Sequence, residues 1–178
     1  LSQLIETGRQ TADWLVREED RLLSSERMLA NTQGLAQAIR SQDAEAARAL
    51  VFPLAATAGE EAVEIVDLQG MTLVSMRLKA GGGAGEYDFS RGDGYYGQQP
   101  FARSILLGQS DAVGDKYSGM VQASWGAFFY VGGPVYDQSN QVVGAVLVGK
   151  SMRSIARQTG QETLAEVTFY NFDGLPLA

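Results

Sequence analysis

The chain of 178 residues has no cysteine and no histidine. Disulfides, thiol chemistry, Cys/His zinc sites and a histidine general base are thereby excluded. The lack of cysteine leaves the compartment open, because an oxidising one would do such a chain no harm. No run of 18 apolar residues occurs, so no segment reads as a membrane-spanning helix, and none reads as a secretory signal peptide. Basic residues are the minority sign, 14 Lys+Arg against 21 Asp+Glu, for a formal charge of −7. That balance argues against nucleic acid and anionic membrane as main partners, since both attract Lys/Arg-rich surfaces. The chain begins with Leu1 rather than Met. It is read as an excised or processed piece, with any membrane anchor in removed flanking helices.

What is present is globular. A hydrophobic fraction of 45% over this length supports one domain, or one domain and part of a second. The first forty residues predict one long helix. Leu1, Leu15, Leu22 and Leu29 share a seven-residue phase, and a weaker row contains Glu18, Ser25 and Ile39. Two uses fit this narrow stripe: a helix laid along its own domain, or one that also meets its copy in a dimer. Residues 41–58 predict a second helix, capped by Ser41 or Asp43, kinked or restarted at Pro53 and stopped at Gly59. The period then changes. Ala62–Leu68 and Met71–Leu78 form a hairpin about Gln69-Gly70. Residues 79–99 read as irregular and Gly-rich, and Pro100–Gly108 as a short helix. Three strands follow, at about Lys116–Ser124, Trp125–Tyr136 and Val142–Lys150. The last carries Val142, Val146 and Val148 on one face and Val143, Ala145 and Leu147 on the other. A strand apolar on both faces belongs in mid-sheet.

Val167–Leu177 can be laid over Val63–Leu73, with Gly174 on Gly70. Either any two hairpins look alike, or a second copy of the domain begins near Leu164, with Arg153–Glu162 as its connecting helix. Gly92-Asp93-Gly94-Tyr95-Tyr96-Gly97 fits the dinucleotide fingerprint in letters, but a glycine-rich loop precedes it and the strands are hairpins rather than a parallel βαβ unit. Arg91-Gly92-Asp93 matches the adhesion tripeptide, with an ordinary loop as the simpler account. Most carboxylates fall on helix surfaces; Asp111, Asp115 and Asp137 lie nearer the sheet. With neither His nor Cys, catalysis by a converging carboxylate pair is the weakest reading.

The aromatic residues point elsewhere. Tyr95, Tyr96 and Phe101 lie in the loop and short helix, and Tyr117, Trp125, Phe128, Phe129 and Tyr130 lie on the strands. Rings with polar tips beside a loop build small-ligand pockets, although half of them must simply be core. Arg103 on the short helix can take a ligand carboxylate in a fork, or form a surface ion pair.

The order of elements resembles the extracytoplasmic Cache sensor domains of bacterial receptors, particularly the double-Cache type. The residues that carry the resemblance are the long N-terminal helix, the hairpin around Val66-Asp67-Leu68-Gln69-Gly70, and Pro134-Val135-Tyr136-Asp137 running on to Val142-Val143-Gly144-Ala145-Val146-Leu147-Val148-Gly149. Phe169–Leu177 looks like the first hairpin of a membrane-proximal half. The resemblance implies an α+β fold: a long helix and a PAS-like antiparallel sheet, with the start of a second subdomain at the C-terminus. It implies residues 1–58 as stalk and second helix, 59–152 as the membrane-distal sensor subdomain, and 153–178 as connecting helix and truncated second subdomain. It further implies a non-enzymatic sensor outside the cytoplasmic membrane, passing a small-molecule signal to a kinase, cyclase or chemotaxis output without a cofactor. The resemblance implies amino acids, other carboxylates or amines as ligands, with an amino acid or other carboxylate expected here, and a homodimer through residues 1–40 as the expected assembly. Arg91 with Tyr95 and Tyr96 approximates the family's amino-acid-binding residues, and Tyr117 stands for its strand tyrosine; the paired Arg-x-Trp is missing. The expected ligand-binding set is therefore Arg91, Tyr95, Tyr96, Phe101, Arg103, Tyr117, Trp125, Phe129 and Asp137. The alternatives are a structural dimerisation module with a vestigial pocket and, more weakly, a small carboxylate-dependent enzyme.

Overall fold

The computed structural model describes residues 2–109, 117–163, 166–171 and 173–177. Helix α1 runs Ser2–Ala30, α2 Leu35–Arg40 and α3 Ala44–Ala58. Strands follow at β1 Ala62–Asp67, β2 Thr72–Leu78 and β3 Tyr87–Ser90. A 3-10 turn at Tyr96–Gln98 leads into α4, Pro100–Leu106. The chain then forms β4 Tyr117–Ala123, β5 Gly126–Tyr136, β6 Val142–Ser151 and α5 Met152–Thr163. Leu1, Asp111, Asp115, Lys116 and Leu164 lie outside the described residues. No helix among those described is long and apolar enough to cross a membrane.

All six strands form one antiparallel sheet in the order β3-β2-β1-β6-β5-β4. Helices α1, α2 and α3 cover one face with Leu22, Leu29, Leu35, Ile39 and Val51, which pack on Val63, Ile65, Val131, Val146 and Val148. The other face is partly covered by α4, through Ala102 and Ile105 against Val121, Ala145 and Leu147. Val143 joins Val146 and Val148 on the helix side rather than facing away with Ala145 and Leu147. Alternation is broken near the end of the pair, where the β5–β6 register shifts between Val135 and Tyr136.

Three expectations need correction. The first helix ends at Ala30, because the chain turns through Asn31–Gly34, with Gly34 left-handed at φ 91°. The helix does not restart at Pro53, which lies inside α3; α3 runs on to Ala58 before the Gly59 cap at φ 69°. Asp43 is its N-cap, accepting from the Ala46 N–H at 2.9 Å. Residues 87–90, expected as loop, add an edge strand to β2.

The two rows of α1 have different partners. Leu22 and Leu29 are fully buried against the sheet. Two polar members of the second row are buried too: Ser25 donates to Glu60 at 2.5 Å, and Glu18 accepts from Lys150 Nζ at 2.8 Å. Arg21 joins both acids, with a forked pair to Glu60 at 2.7 and 3.1 Å. Burial alone would raise the pKa of Glu18, but Arg21 and Lys150 more than offset this and hold it below the usual carboxylate range.

Among the described residues the same turn occurs three times. Asp67 Oδ1 accepts from the N–H groups of Gln69 and Met71, Asp137 Oδ1 from Ser139 and Gln141, and Asn171 Oδ1 from Asp173 and Leu175. The fourth residue of each is left-handed: Gly70 at φ 80°, Asn140 at 58° and Gly174 at 76°.

Candidate functional site

Strand alternation aims Val63 and Ile65 at the helices and Ala62, Glu64 and Val66 at the opposite face. Glu64 is thus a carboxylate on a central strand with no solvent exposure. Such a group must find partners or stay protonated. Tyr130, from β5, donates its hydroxyl to Glu64 Oε1 at 3.0 Å, and the Tyr96 and Tyr130 hydroxyls lie 3.0 Å apart. Arg77, from β2, brings Nε to 3.5 Å from the same oxygen. Glu64 Oε2 and Arg77 Nε make no hydrogen bond of normal geometry, nor does the buried Ser75 hydroxyl, which stands directly across from Glu64. Burial pushes the Glu64 carboxyl up to about 7, against the opposing pull of the Ser75 hydroxyl first, then of Arg77 and the two tyrosines. Burial first, then the neighbouring Glu64 charge, raises the phenols of Tyr96 and Tyr130.

Aromatic rings roof this group. The Arg77 guanidinium carbon sits 3.9 Å from the centre of the Trp125 ring and 6.0 Å from that of Tyr96. Tyr95, Tyr96, Trp125 and Tyr130 contact one another at 5.4–6.2 Å between ring centres. Glycine makes the room. A methyl group at Gly149 would overlap the Tyr130 ring, and one at Gly119 would overlap Phe101. The loop that presents Tyr95 and Tyr96 is tied to the β1–β2 turn. Gly97 lies against Gly70 too closely for any side chain, Gly92 N–H donates to Thr72 O and Thr72 N–H to Asp93 O, each at 2.7 Å. This is the use the fold makes of Gly92–Gly97. A short strand, β3, does precede it, contrary to the loop expected, but the sheet is antiparallel and α4 begins only at Pro100.

Of the nine residues expected to bind ligand, Tyr95, Tyr96, Phe101, Tyr117 and Trp125 come together on the α4 face. Arg103 is exposed on α4 itself. The other three lie elsewhere. Phe129 faces the helices, beside Trp14, Met152 and Ile155. Asp137 closes the β5–β6 turn and pairs with Arg40; the backbone N–H groups of Gln141 and Ser139, with Arg40, hold its carboxyl below the usual range. Arg91 is exposed just past β3, beside Arg48 and Phe89 on the α3 side. Sequence reasoning missed Glu64 and Arg77. A signal was available: each is a charge inside an apolar strand, and the hairpin register brings Glu64 opposite Ser75, two positions from Arg77. Among the described residues no group of three or more acids is arranged to hold a metal ion.

The family model of the double sensory domain of two-component sensor kinases matches residues 1–174. The chain belongs to this family. Among curated proteins no sequence matches it. The fold is similar to a domain of a sensory box/GGDEF family protein from Vibrio parahaemolyticus at TM-score 0.60 and 10% identity, over 89% of this chain and 61% of that one. It resembles the E. coli DcuS sensor domain at TM-score 0.58 and 16% identity, over 83% and 96%. It resembles the ligand-binding domain of the Campylobacter jejuni chemoreceptor Tlp3 at TM-score 0.66 and 11% identity, over 99% and 66%. The chain thus spans less than two thirds of the Vibrio domain's length but nearly all of DcuS's.

Proposed function

We propose that the chain is the small-molecule sensing part of a bacterial signal-transduction receptor, outside the cytoplasmic membrane, and that its ligand meets the α4 face around Glu64, Arg77, Tyr96, Trp125 and Tyr130. One observation carries the choice of face: a fully buried carboxylate there has an oxygen without a partner, roofed by a half-open aromatic cluster. An ionisable group is costly to bury without full pairing, and such groups cluster at functional sites. Sensor domains of the same fold give the reading context. The Tlp3 structures hold L-valine, isoleucine or 4-methylisoleucine. Tyr95, Phe101 and Tyr117 would wall the site and Arg103 would stand at its rim. The domain binds rather than turns over its ligand and needs no cofactor. A ligand that favours one setting of the sheet against α1 and α5 over another shifts the population toward it by its differential affinity and no more. The turn at Asn171, built like that at Asp67, supports residues 153–178 as the entry to a second subdomain, after a stalk and second helix over 1–58 and a sensor subdomain over 59–152.

A second reading, a dimerisation module, is favoured by Val16 and Met28, both exposed on α1. A thermal-shift screen with amino acids, organic acids, amines and purines separates the two. A ligand at 100 times its Kd adds about 2.7 kcal/mol, a shift of several degrees at this size. A hit lost in Trp125→Ala supports sensing at this face. A melting temperature that rises with protein concentration, and with no ligand, supports the module.

A further inference from the structure

The cluster on the α4 face holds a cation already, and that cation belongs to the chain. The two members of the Glu64–Arg77 pair differ in freedom. Glu64 stands on a central strand, fully buried and fixed by Tyr130. Arg77 is on β2, one strand from the sheet edge, with its side chain 21% exposed. It reaches Glu64 at 3.5 Å without a hydrogen bond, and its closest aromatic neighbour, Trp125, is 38% exposed at the β4–β5 turn. Asp88 lies directly across from Arg77 in the β2–β3 register, with its side chain 77% exposed. That carboxylate already has Lys79 at 3.9 Å, and a released guanidinium would share it at the surface. Once Glu64 is ionised, above about pH 7, the immovable group is the anion and the removable one is the cation. An anionic ligand would have to enter beside a carboxylate that cannot leave, whereas a cationic one would inherit the aromatic face and the unused Glu64 oxygen.

We propose that Arg77 is a tethered occupant of a cation-binding cage formed by Trp125, Tyr96, Tyr130 and Glu64, and that the external ligand is a small alkylguanidinium or alkylammonium that takes its place. This rests on the α4 face being the sensing site and specifies what that site reads. The tether lowers apparent affinity by the fraction of time the cage stands open, so removing it must tighten binding.

The test is titration of the chain and its variants with ethylguanidinium and propylammonium, with acetate as the anion control, followed by melting temperature. Arg77→Ala is expected to bind the cations at least tenfold more tightly than the unsubstituted chain, and to lose that binding when Glu64→Gln or Trp125→Ala is added. If Arg77→Ala does not fold, Trp14→Phe leaves Trp125 as the single indole of the chain. Saturable quenching by ethylguanidinium, abolished by Glu64→Gln, is then the supporting result, and its absence overturns the proposal. Stabilisation by acetate or another carboxylate that disappears in Arg77→Ala also overturns it, while leaving the sensing function at this face intact. Failure of every cation, with no hit in the wider metabolite screen either, removes both.

Discussion

The two faces of the sheet are built by different rules. On the helix side the packing is aliphatic, and the charges brought into it are matched: Glu60 by Arg21 and Ser25, Lys150 by Glu18. On the α4 side the packing is aromatic, and its charged pair is loose, with acceptor and donor atoms left over. Both faces hang on the same strands, so the contrast is not one of backbone. One side is closed around satisfied groups and holds the domain together. The other keeps unsatisfied groups under a partly exposed roof, which is the condition for accepting something else.

Four substitutions sharpen that contrast. Leu29→Ala, on the closed side, should cost the most, about 3–4 kcal/mol from lost transfer energy and the cavity left behind; urea unfolding should show it, with ligand response unchanged below the new transition. Glu64→Gln should act in the opposite sense and depend on pH. The Glu64 carboxyl is raised from 4.5 to about 7 in the folded chain. The unfolded chain therefore ionises first. Stability is full below about pH 4.5 and falls until the folded carboxyl has ionised, a little above pH 7. The loss amounts to about 3 kcal/mol. Glu64→Gln should remove this decline and melt higher than the parent at pH 8; equal slopes from pH 5 to pH 8 would overturn the assignment. Tyr130→Phe deprives Glu64 of a fully buried donor and should cost about 1–2 kcal/mol, with a larger loss at pH 8 than at pH 5. Asp43→Ala removes only the cap of α3, about 1 kcal/mol, and should leave every ligand response as it was. A shift in ligand affinity there would show that the faces are not independent.

Much of the architecture was legible because it is written in local chemistry. Gln69-Gly70 marks a tight turn, Asp43 and Gly59 bracket a helix, and Val142–Lys150 is apolar on both sides. Strand β3 was not legible: four residues between glycine-rich stretches carry too little pattern, and only pairing with β2 orders them. The break after Ala30 was hidden for a similar reason, since α2 continues the helical composition beyond one left-handed glycine. On the α4 face, the gathering of the aromatic residues was legible and the buried ionic pair was not. Tyr95, Tyr96 and Trp125 announce themselves near a loop, but Glu64 and Arg77 look like ordinary strand punctuation until the sheet places them side by side. Phe129 and Asp137 misled because a strand's two faces, and the two ends of a hairpin, read alike along the chain.

Helix α1 touches the rest of the domain at a series of heights. Trp14 Nε1 donates to Glu162 on α5, Glu18 accepts from Lys150, Arg21 and Ser25 hold Glu60, and Glu26 lies where a methyl group on Gly133 of β5 would collide with it. From Trp14 to Glu26 these marks are spread over about 18 Å of helix. They work like the teeth of a rack. Sliding by one residue would unseat all of them together, so the helix cannot creep along the sheet by degrees. It travels with the sheet as one body or jumps to another setting, and a small movement of β5 or β6 reaches the far end of α1 without being absorbed on the way.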